Sequence, residues 1–307
     1  MSKLAFVFPG QGSQQVGMLS DSKAELASIF ERASNALGYD LWDLIQNDPE
    51  DKLNQTEFTQ PALLTASVGL WYLAKEKGTT PDVVAGHSLG EYSALVAAEV
   101  LSFEEAVVLV QKRGQFMQSA VPLGEGGMAA ILGLDDDEVI AICESQSGGQ
   151  IVQAANFNSP GQVVVAGNVA ALERVIDACK ESGAKRAMQL AVSAPFHCQL
   201  MQPAANQMSK LLRNIEFHEP KIAVLQNVNA DFVSDPRQIR ENLVSQMSSA
   251  VLWSTTIERM VRESVSQIVE CGPGKILSGL NRRIDRSIDS MSISSSDSLD
   301  SVIGILV

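Results

Sequence analysis

Residues 84–92 read Val-Ala-Gly-His-Ser-Leu-Gly-Glu-Tyr, and Gly86 to Gly90 fit the pattern G-x-S-x-G. Between a strand and a helix, that pattern makes a strained elbow that lifts one serine oxygen into a pocket. The strand-like stretch Asp82-Val83-Val84-Ala85 supplies a strand, and the alanine-rich run 89–100 supplies a helix whose first N–H groups would face Ser88. The same residues also suit a tight turn with a solvated serine, so the context has to decide. A serine nucleophile needs a base. The chain has 3 histidines, His87, His197 and His218. His87 adjoins Ser88, and neighbours on a sharp elbow point apart, so it reads as a histidine packed under the turn. His218 sits in the charged turn Glu216-Phe217-His218-Glu219-Pro220 and reads as exposed. His197 follows Ser193-Ala194-Pro195-Phe196 at the end of a strand, where the sites of open α/β sheets gather, and it is the expected base.

No acid is placed to orient His197, so a backbone carbonyl could hold its other ring nitrogen and make the pair a dyad. The order also differs from an α/β-hydrolase, in which histidine follows the acid near the C-terminus. Arg113 adds a second kind of chemistry. Helical steps put Ala106, Leu109, Arg113, Phe116 and Ala120 on one face, which should be buried. A guanidinium there is costly unless paired, and structural partners could pair it. It could equally offer its planar fork to a substrate carboxylate. Serine nucleophile plus carboxylate reader points to acyl transfer of a dicarboxylic half-thioester. A serine esterase or thioesterase, and a non-catalytic module that binds an acyl carrier, are the other function classes the residues permit.

The elements that must position these groups alternate. Leu4–Phe8 reads as a buried strand ended by Pro9-Gly10. Ser22-Lys23-Ala24-Glu25 is a capping-box pattern opening a helix that Gly38 stops. Pro61 suits the first turn of the next helix, and Ser102 caps the one that carries Arg113. After a glycine-rich linker at 122–127 the order becomes β-α-β-β-α-β, the pattern of ferredoxin-like domains. Later β and α segments alternate again, through a strand at 267–270 and the Gly272-Pro273-Gly274 turn. The expected fold is therefore α/β. A large catalytic part, residues 1–124 and 196–307, holds a mostly parallel sheet with a hydrolase-like nucleophile elbow, and a small ferredoxin-like subdomain, 125–195, is inserted in it. The Ser- and Asp-rich stretch 287–301 is expected to be a loosely held surface segment.

Composition narrows the function. The net charge of −13 argues against nucleic acid as partner. No apolar run reaches the ~18 residues of a membrane helix, and the N-terminus reads as a strand, not as a signal peptide. Cys143, Cys179, Cys198 and Cys271 form no C-x-x-C pair, so zinc and a disulfide framework are unsupported, and a reduced, cytoplasmic protein is expected. Gly10-Gln11-Gly12 lacks the third glycine of a dinucleotide loop, and Gly272-Pro273-Gly274-Lys275 lacks the spacing of a phosphate loop.

Taken in order, Phe8-Pro9-Gly10-Gln11-Gly12-Ser13-Gln14, Gly86-His87-Ser88-Leu89-Gly90-Glu91, Lys112-Arg113-Gly114, Asn156-Phe157-Asn158-Ser159-Pro160-Gly161-Gln162, Ser193-Ala194-Pro195-Phe196-His197 and Gly272-Pro273-Gly274-Lys275 resemble the bacterial malonyl-CoA:acyl carrier protein transacylases. This acyltransferase family serves fatty-acid synthesis, and the resemblance runs from Phe6 to about Leu280. It implies a ping-pong reaction. Ser88, activated by His197, would take the malonyl group from malonyl-CoA while Arg113 holds its carboxylate. The phosphopantetheine thiol of acyl carrier protein would then remove it. The resemblance further implies an oxyanion hole from the backbone N–H groups of Gln11 and Leu89. It implies that the main-chain carbonyl of Gln246 orients His197, and it puts Phe196 and Asn158 at the substrate pocket. Phe196 would crowd an α-methyl branch. The family commonly has Asn-Pro-Val shortly after the glutamine, where this chain has Ser248-Ser249-Ala250-Val251, so a less rigid loop is expected there. No bound cofactor is implied, since the CoA thioester is substrate and the phosphopantetheine arm belongs to the partner. Acyl carrier proteins are acidic, so docking would need a local basic patch, for which Lys275, Arg282, Arg283 and Arg286 are candidates, with Lys185 and Arg186 on the small subdomain. Nothing in the sequence calls for an oligomer, and a monomer is expected.

Overall fold

The computed structural model describes residues 3–306. Its first part holds β1 (Lys3–Phe8), α1 (Lys23–Leu37), α2 (Leu41–Asn47), α3 (Thr56–Glu76), β2 (Val83–Gly86), α4 (Gly90–Ala97) and α5 (Phe103–Ser119). A small unit follows, with β3 (Gly126–Leu132), α6 (Asp136–Gln146), β4 (Val152–Ser159), β5 (Gln162–Asn168), α7 (Val169–Glu181) and β6 (Arg186–Gln189). The chain returns through α8 (Gln202–Leu212), β7 (Ala223–Leu225), α9 (Pro236–Gln246), α10 (Trp253–Arg262), β8 (Val265–Cys271), α11 (Ile276–Ile284), β9 (Asp289–Ile293) and α12 (Ser296–Leu306).

Five strands form a parallel sheet in the order β7-β2-β1-β8-β9. A parallel strand covered on both faces is apolar along its buried length, which is why β1 reads as an apolar run from Leu4 to Phe8. Its side chains divide by the period of two. Phe6 and Phe8 join the large core with α3, α4 and α5, whereas Ala5 and Val7 join Trp253, Ile257, Leu277 and Leu280 of α10 and α11. The second sheet is antiparallel in the order β4-β5-β3-β6. That order and the β-α-β-β-α-β sequence of elements give the ferredoxin-like arrangement, with α6 and α7 closing a core of its own around Val139, Val165 and Val175. No helix among the described residues is long and apolar enough to cross a membrane.

Several local expectations need correction. α3 starts at Thr56, with Pro61 inside it rather than in its first turn. The reason lies in packing. A Cβ on Gly114 of α5 would lie 2.6 Å from Glu57 Cα, so α5 presses directly on the turn that precedes the proline and holds it helical. α2 was not anticipated; it is a short helix capped by the Asp40 side chain. Ser22 makes no side-chain cap on α1, and its hydroxyl instead accepts from the Ser296 N–H at 2.9 Å, at the start of α12.

The largest correction is at the C-terminal end. Residues 287–301 are not a loose surface segment. β9 pairs in parallel with β8 from Gln267↔Asp289 to Cys271↔Ile293, and α12 lays Leu299 and Val302 into the main core. The serines misled because they are turn and cap groups: Ser298 Oγ accepts from the N–H groups of Ser294 and Ser295 at 2.9 Å each. Leu299 is 1% exposed, so Leu299→Ala should cost about 2–4 kcal/mol in denaturant unfolding. A loss under about 0.5 kcal/mol, the surface value, would show that this segment is loosely held after all.

Candidate active site

All five parallel strands point their carboxyl ends to one edge, where loops of an open α/β sheet build sites. β2 ends at Gly86 and turns into α4 through Ser88, whose φ of 53° is left-handed. For a non-glycine residue this costs about 1–3 kcal/mol and persists only where surroundings enforce it. Here the flanking glycines and one asparagine do so. A Cβ at Gly86 would lie 1.9 Å from the Gly90 carbonyl, and one at Gly90 would lie 2.0 Å from the Phe8 oxygen. Asn227, just past β7, clamps the turn from both sides: its Oδ1 accepts from the Ser88 N–H at 2.7 Å and its Nδ2 donates to the Gly86 oxygen at 2.6 Å. The serine is therefore on an elbow, not in a slack turn.

Ser88 Oγ stands 2.7 Å from His197 Nε2. His197 itself has a φ of 60° and is buried. Its Nδ1 lies 2.8 Å from the main-chain oxygen of Gln246, at the end of α9. A carbonyl only accepts, so Nδ1 carries the proton and Nε2 is left as the acceptor for the serine hydroxyl. Burial first, then the charge of Arg113, pushes the imidazole down to about 3. The loop after Gln246 lacks proline but is held in another way. The Val251 N–H donates to the Ala155 oxygen at 2.9 Å, and the Phe157 N–H donates to the Val251 oxygen at 3.0 Å, so β4 of the small subdomain grips it.

Arg113 has no exposed surface. Its NH1 donates to Gln60 Oε1 at 2.8 Å, and its NH2 donates to Gln246 Oε1 at 2.8 Å and to Ser88 Oγ at 3.2 Å. The Tyr92 ring packs against it, 5.4 Å from the guanidinium carbon. Its Nε is buried with no hydrogen-bond partner among the described residues. Desolvation lowers its pKa from the ordinary arginine range. A charged fork thus ends within contact of the Ser88 hydroxyl, and its Nε keeps donor capacity.

The N–H groups of Gln11 and Leu89 have no acceptor among the described residues, while the N–H groups of Ser88, Gly90 and Glu91 all do. The turn bearing Gln11 is pressed onto the elbow, since a Cβ at Gly10 would come 2.6 Å from the His87 oxygen. The Gln11 side chain is tied to α3, with Oε1 accepting from Thr56 Oγ1 at 2.7 Å. His87 packs with its ring 5.6 Å from that of Trp253, and its Nε2 meets Asn158 Oδ1 at 2.8 Å. That contact engages the Asn158 carboxamide beside the elbow histidine. Phe196 is buried in the main core, and His218 is exposed.

The structure therefore brings Ser88, His197, Arg113 and Gln246 together. Sequence reasoning missed Gln60, Asn227 and the side chain of Gln246. Gln60 had a signal, a polar residue in the buried run Thr59-Gln60-Pro61-Ala62-Leu63. Asn227 had only its place at a strand end. No group of three or more His, Cys, Asp or Glu among the described residues could hold a metal ion.

Comparison with known proteins agrees with this geometry. The acyl transferase domain model matches residues 5–291. The chain belongs to the acyl transferase family. A malonyl CoA-acyl carrier protein transacylase of Haemophilus influenzae is 51% identical over 312 residues, covering 100% of both chains. The crystal structure of an acyl carrier protein S-malonyltransferase from Vibrio cholerae is 49% identical at a TM-score of 0.96, covering 98% of this chain and 100% of that one. A malonyl-transacylase in complex with a type II PKS acyl-carrier protein is 47% identical at a TM-score of 0.97, covering 99% of this chain and 100% of that one. With its imidazole buried and pushed down to about 3, His197 should stay neutral well below neutrality. Its imidazole NMR resonances should not move between about pH 8 and pH 5. A midpoint near ~6.5, that of a free histidine, would contradict the assigned burial.

Proposed function

We propose that this chain transfers a malonyl group from malonyl-CoA to the phosphopantetheine thiol of acyl carrier protein, in fatty-acid synthesis, through a malonyl ester on Ser88. The observation that carries the proposal is the contact of Arg113 with the nucleophile, NH2 to Oγ at 3.2 Å. A carboxylate bound to Arg113 would lie close to the carbonyl that Ser88 attacks, as the short spacer of malonate requires.

The steps follow from the residues. His197 Nε2 takes the hydroxyl proton as Oγ adds to the thioester carbonyl. The oxyanion forms between the N–H groups of Gln11 and Leu89, and each such donor supports the rate by about 10²–10³. Collapse expels CoA as its thiol, protonated by the imidazolium. The carrier's thiol then gives its proton to His197 and attacks the ester, returning Ser88. The incoming carboxylate also acts on the base: it offsets the Arg113 charge that depresses His197, so loading makes the imidazole a better proton acceptor. Phe196 narrows the pocket against a branched acyl group. No residue here needs a resident cofactor for these steps.

The exposed basic residues on and beside α11 are the proposed carrier contact. Lys275, Arg282, Arg283 and Arg286 lie on or beside α11 and are exposed. Two of them also have structural duties: Arg282 donates to the Ser290 oxygen at 2.6 Å, and Arg283 donates to Gln162 Oε1 at 2.8 Å across to the small subdomain. Lys275 and Arg286 are thus the cleaner probes. Lys275→Glu with Arg286→Glu should slow transfer to holo carrier protein at low salt and leave loading from malonyl-CoA alone. Unchanged transfer would put the docking surface elsewhere.

Brief exposure to malonyl-CoA followed by intact mass should show a malonyl adduct that Ser88→Ala abolishes. Arg113→Ala should lower malonyl loading by about 10²-fold or more while acetyl loading changes far less. Rapid CoA release with no adduct in the wild type would favour a thioesterase, and neither adduct nor release would rule out catalysis at the elbow.

A further inference from the structure

Arg113 is a full charge with no exposed surface, yet its hydrogen bonds go to Gln60, Gln246 and Ser88 and none goes to a carboxylate. The reaction scheme leaves unused a buried carboxylate beside the elbow. Glu91, last residue of the elbow motif, is 1% exposed. Its Oε1 accepts from Gln226 Nε2 at 3.0 Å, and its Oε2 accepts from the Asn227 N–H at 3.0 Å and from Gln246 Nε2 at 2.9 Å. All three partners donate, so they recognise the ionised form. Gln246 carries the contact onward. Its Nε2 faces Glu91, and its Oε1 faces Arg113 NH2. The amide can satisfy both neighbours in this orientation only, and both polarise it the same way.

We infer that Glu91 is the buried counter-charge of Arg113, acting through the Gln246 carboxamide, and is thereby a positioning residue for the substrate's carboxylate. The arrangement has a physical logic. A carboxylate bonded directly to Arg113 would occupy the fork that the substrate needs. One placed behind an amide balances the buried charge and leaves the fork open. The same amide fixes the guanidinium's direction, while its backbone carbonyl holds His197, so one residue of α9 aligns both reader and base. Burial raises the Glu91 carboxyl to about 7, and the three donors and the charge of Arg113 act against that rise, in favour of the ionised form.

This inference rests on Arg113 reading a carboxylate, as proposed above. The test is the ratio of malonyl to acetyl loading, followed by intact mass with the two CoA thioesters. Glu91→Gln keeps the shape but removes the charge, and its amide no longer accepts as the carboxylate does at Gln246. The ratio should fall about tenfold or more, through a higher KM for malonyl-CoA. Glu91→Asp keeps the charge, and its ratio should stay within about threefold of wild type even where both rates drop. Gln246→Met cuts the bridge with Glu91 intact and should lower the ratio as Glu91→Gln does; it decides the matter if Glu91→Gln does not fold. A purely structural Glu91 would lower both loadings together and leave the ratio alone, which would overturn the inference. A wild type that forms no malonyl adduct would instead sink the proposed function, so the two failures are distinguishable.

Discussion

A guanidinium with none of its surface in water has to be held by something, and that requirement organises this protein. Leaving such a charge unpaired would cost several kcal/mol. Three elements converge to satisfy it. α3 supplies Gln60, α9 supplies Gln246, and α4 supplies the Tyr92 ring and, at one remove, Glu91. For α5 to bring Arg113 there, Gly114 must let the helix touch the first turn of α3. None of the direct partners is an acid, so the charge is stabilised without being neutralised at the fork. A buried cation in that condition is suited to bind an anion.

The second constraint is strain. Ser88 and His197 both sit at positive φ, at 53° and 60°. The two side chains meet, Ser88 Oγ to His197 Nε2 at 2.7 Å, and the serine's conformation is enforced from outside. Asn227 clamps the elbow, and the absent Cβ atoms of Gly86, Gly90 and Gly10 let backbone approach within what would otherwise be overlap. The small subdomain takes part as well. β4 bonds the segment at Val251, which fixes the chain just beyond Gln246, and Asn158 engages His87 beside Ser88. The ferredoxin-like insertion is therefore part of the scaffold of the site.

Much of this was legible before the fold was known, and the reason is physical. G-x-S-x-G between a strand and a helix is a local pattern, and at Gly86 the steric reason for glycine lies within it, since a Cβ there would overlap Gly90. Arg113 stood out because a charge on an apolar stripe contradicts local patterning. Alternation of apolar runs and capped helices was enough for the α/β architecture and the inserted unit. What could not be read is what depends on distant partners. Asn227 and Glu91 are ordinary polar residues until packing buries them, and the Gln246 side chain matters only because α9 delivers it between Arg113 and Glu91. The C-terminal segment was misjudged for a related reason: its serines look like linker chemistry, whereas Ile293, Leu299 and Val302 find their cores only through β8 and α3.

The central claim is that Arg113 and Ser88 act on the two ends of one short acyl group. The most direct measurement is a crystal structure of the protein trapped as the malonyl adduct. The account predicts an ester on Ser88 Oγ, with the free carboxylate on Arg113 and the ester carbonyl oxygen between the N–H groups of Gln11 and Leu89. An adduct whose carboxylate points to solvent, or one formed on another residue, would contradict it.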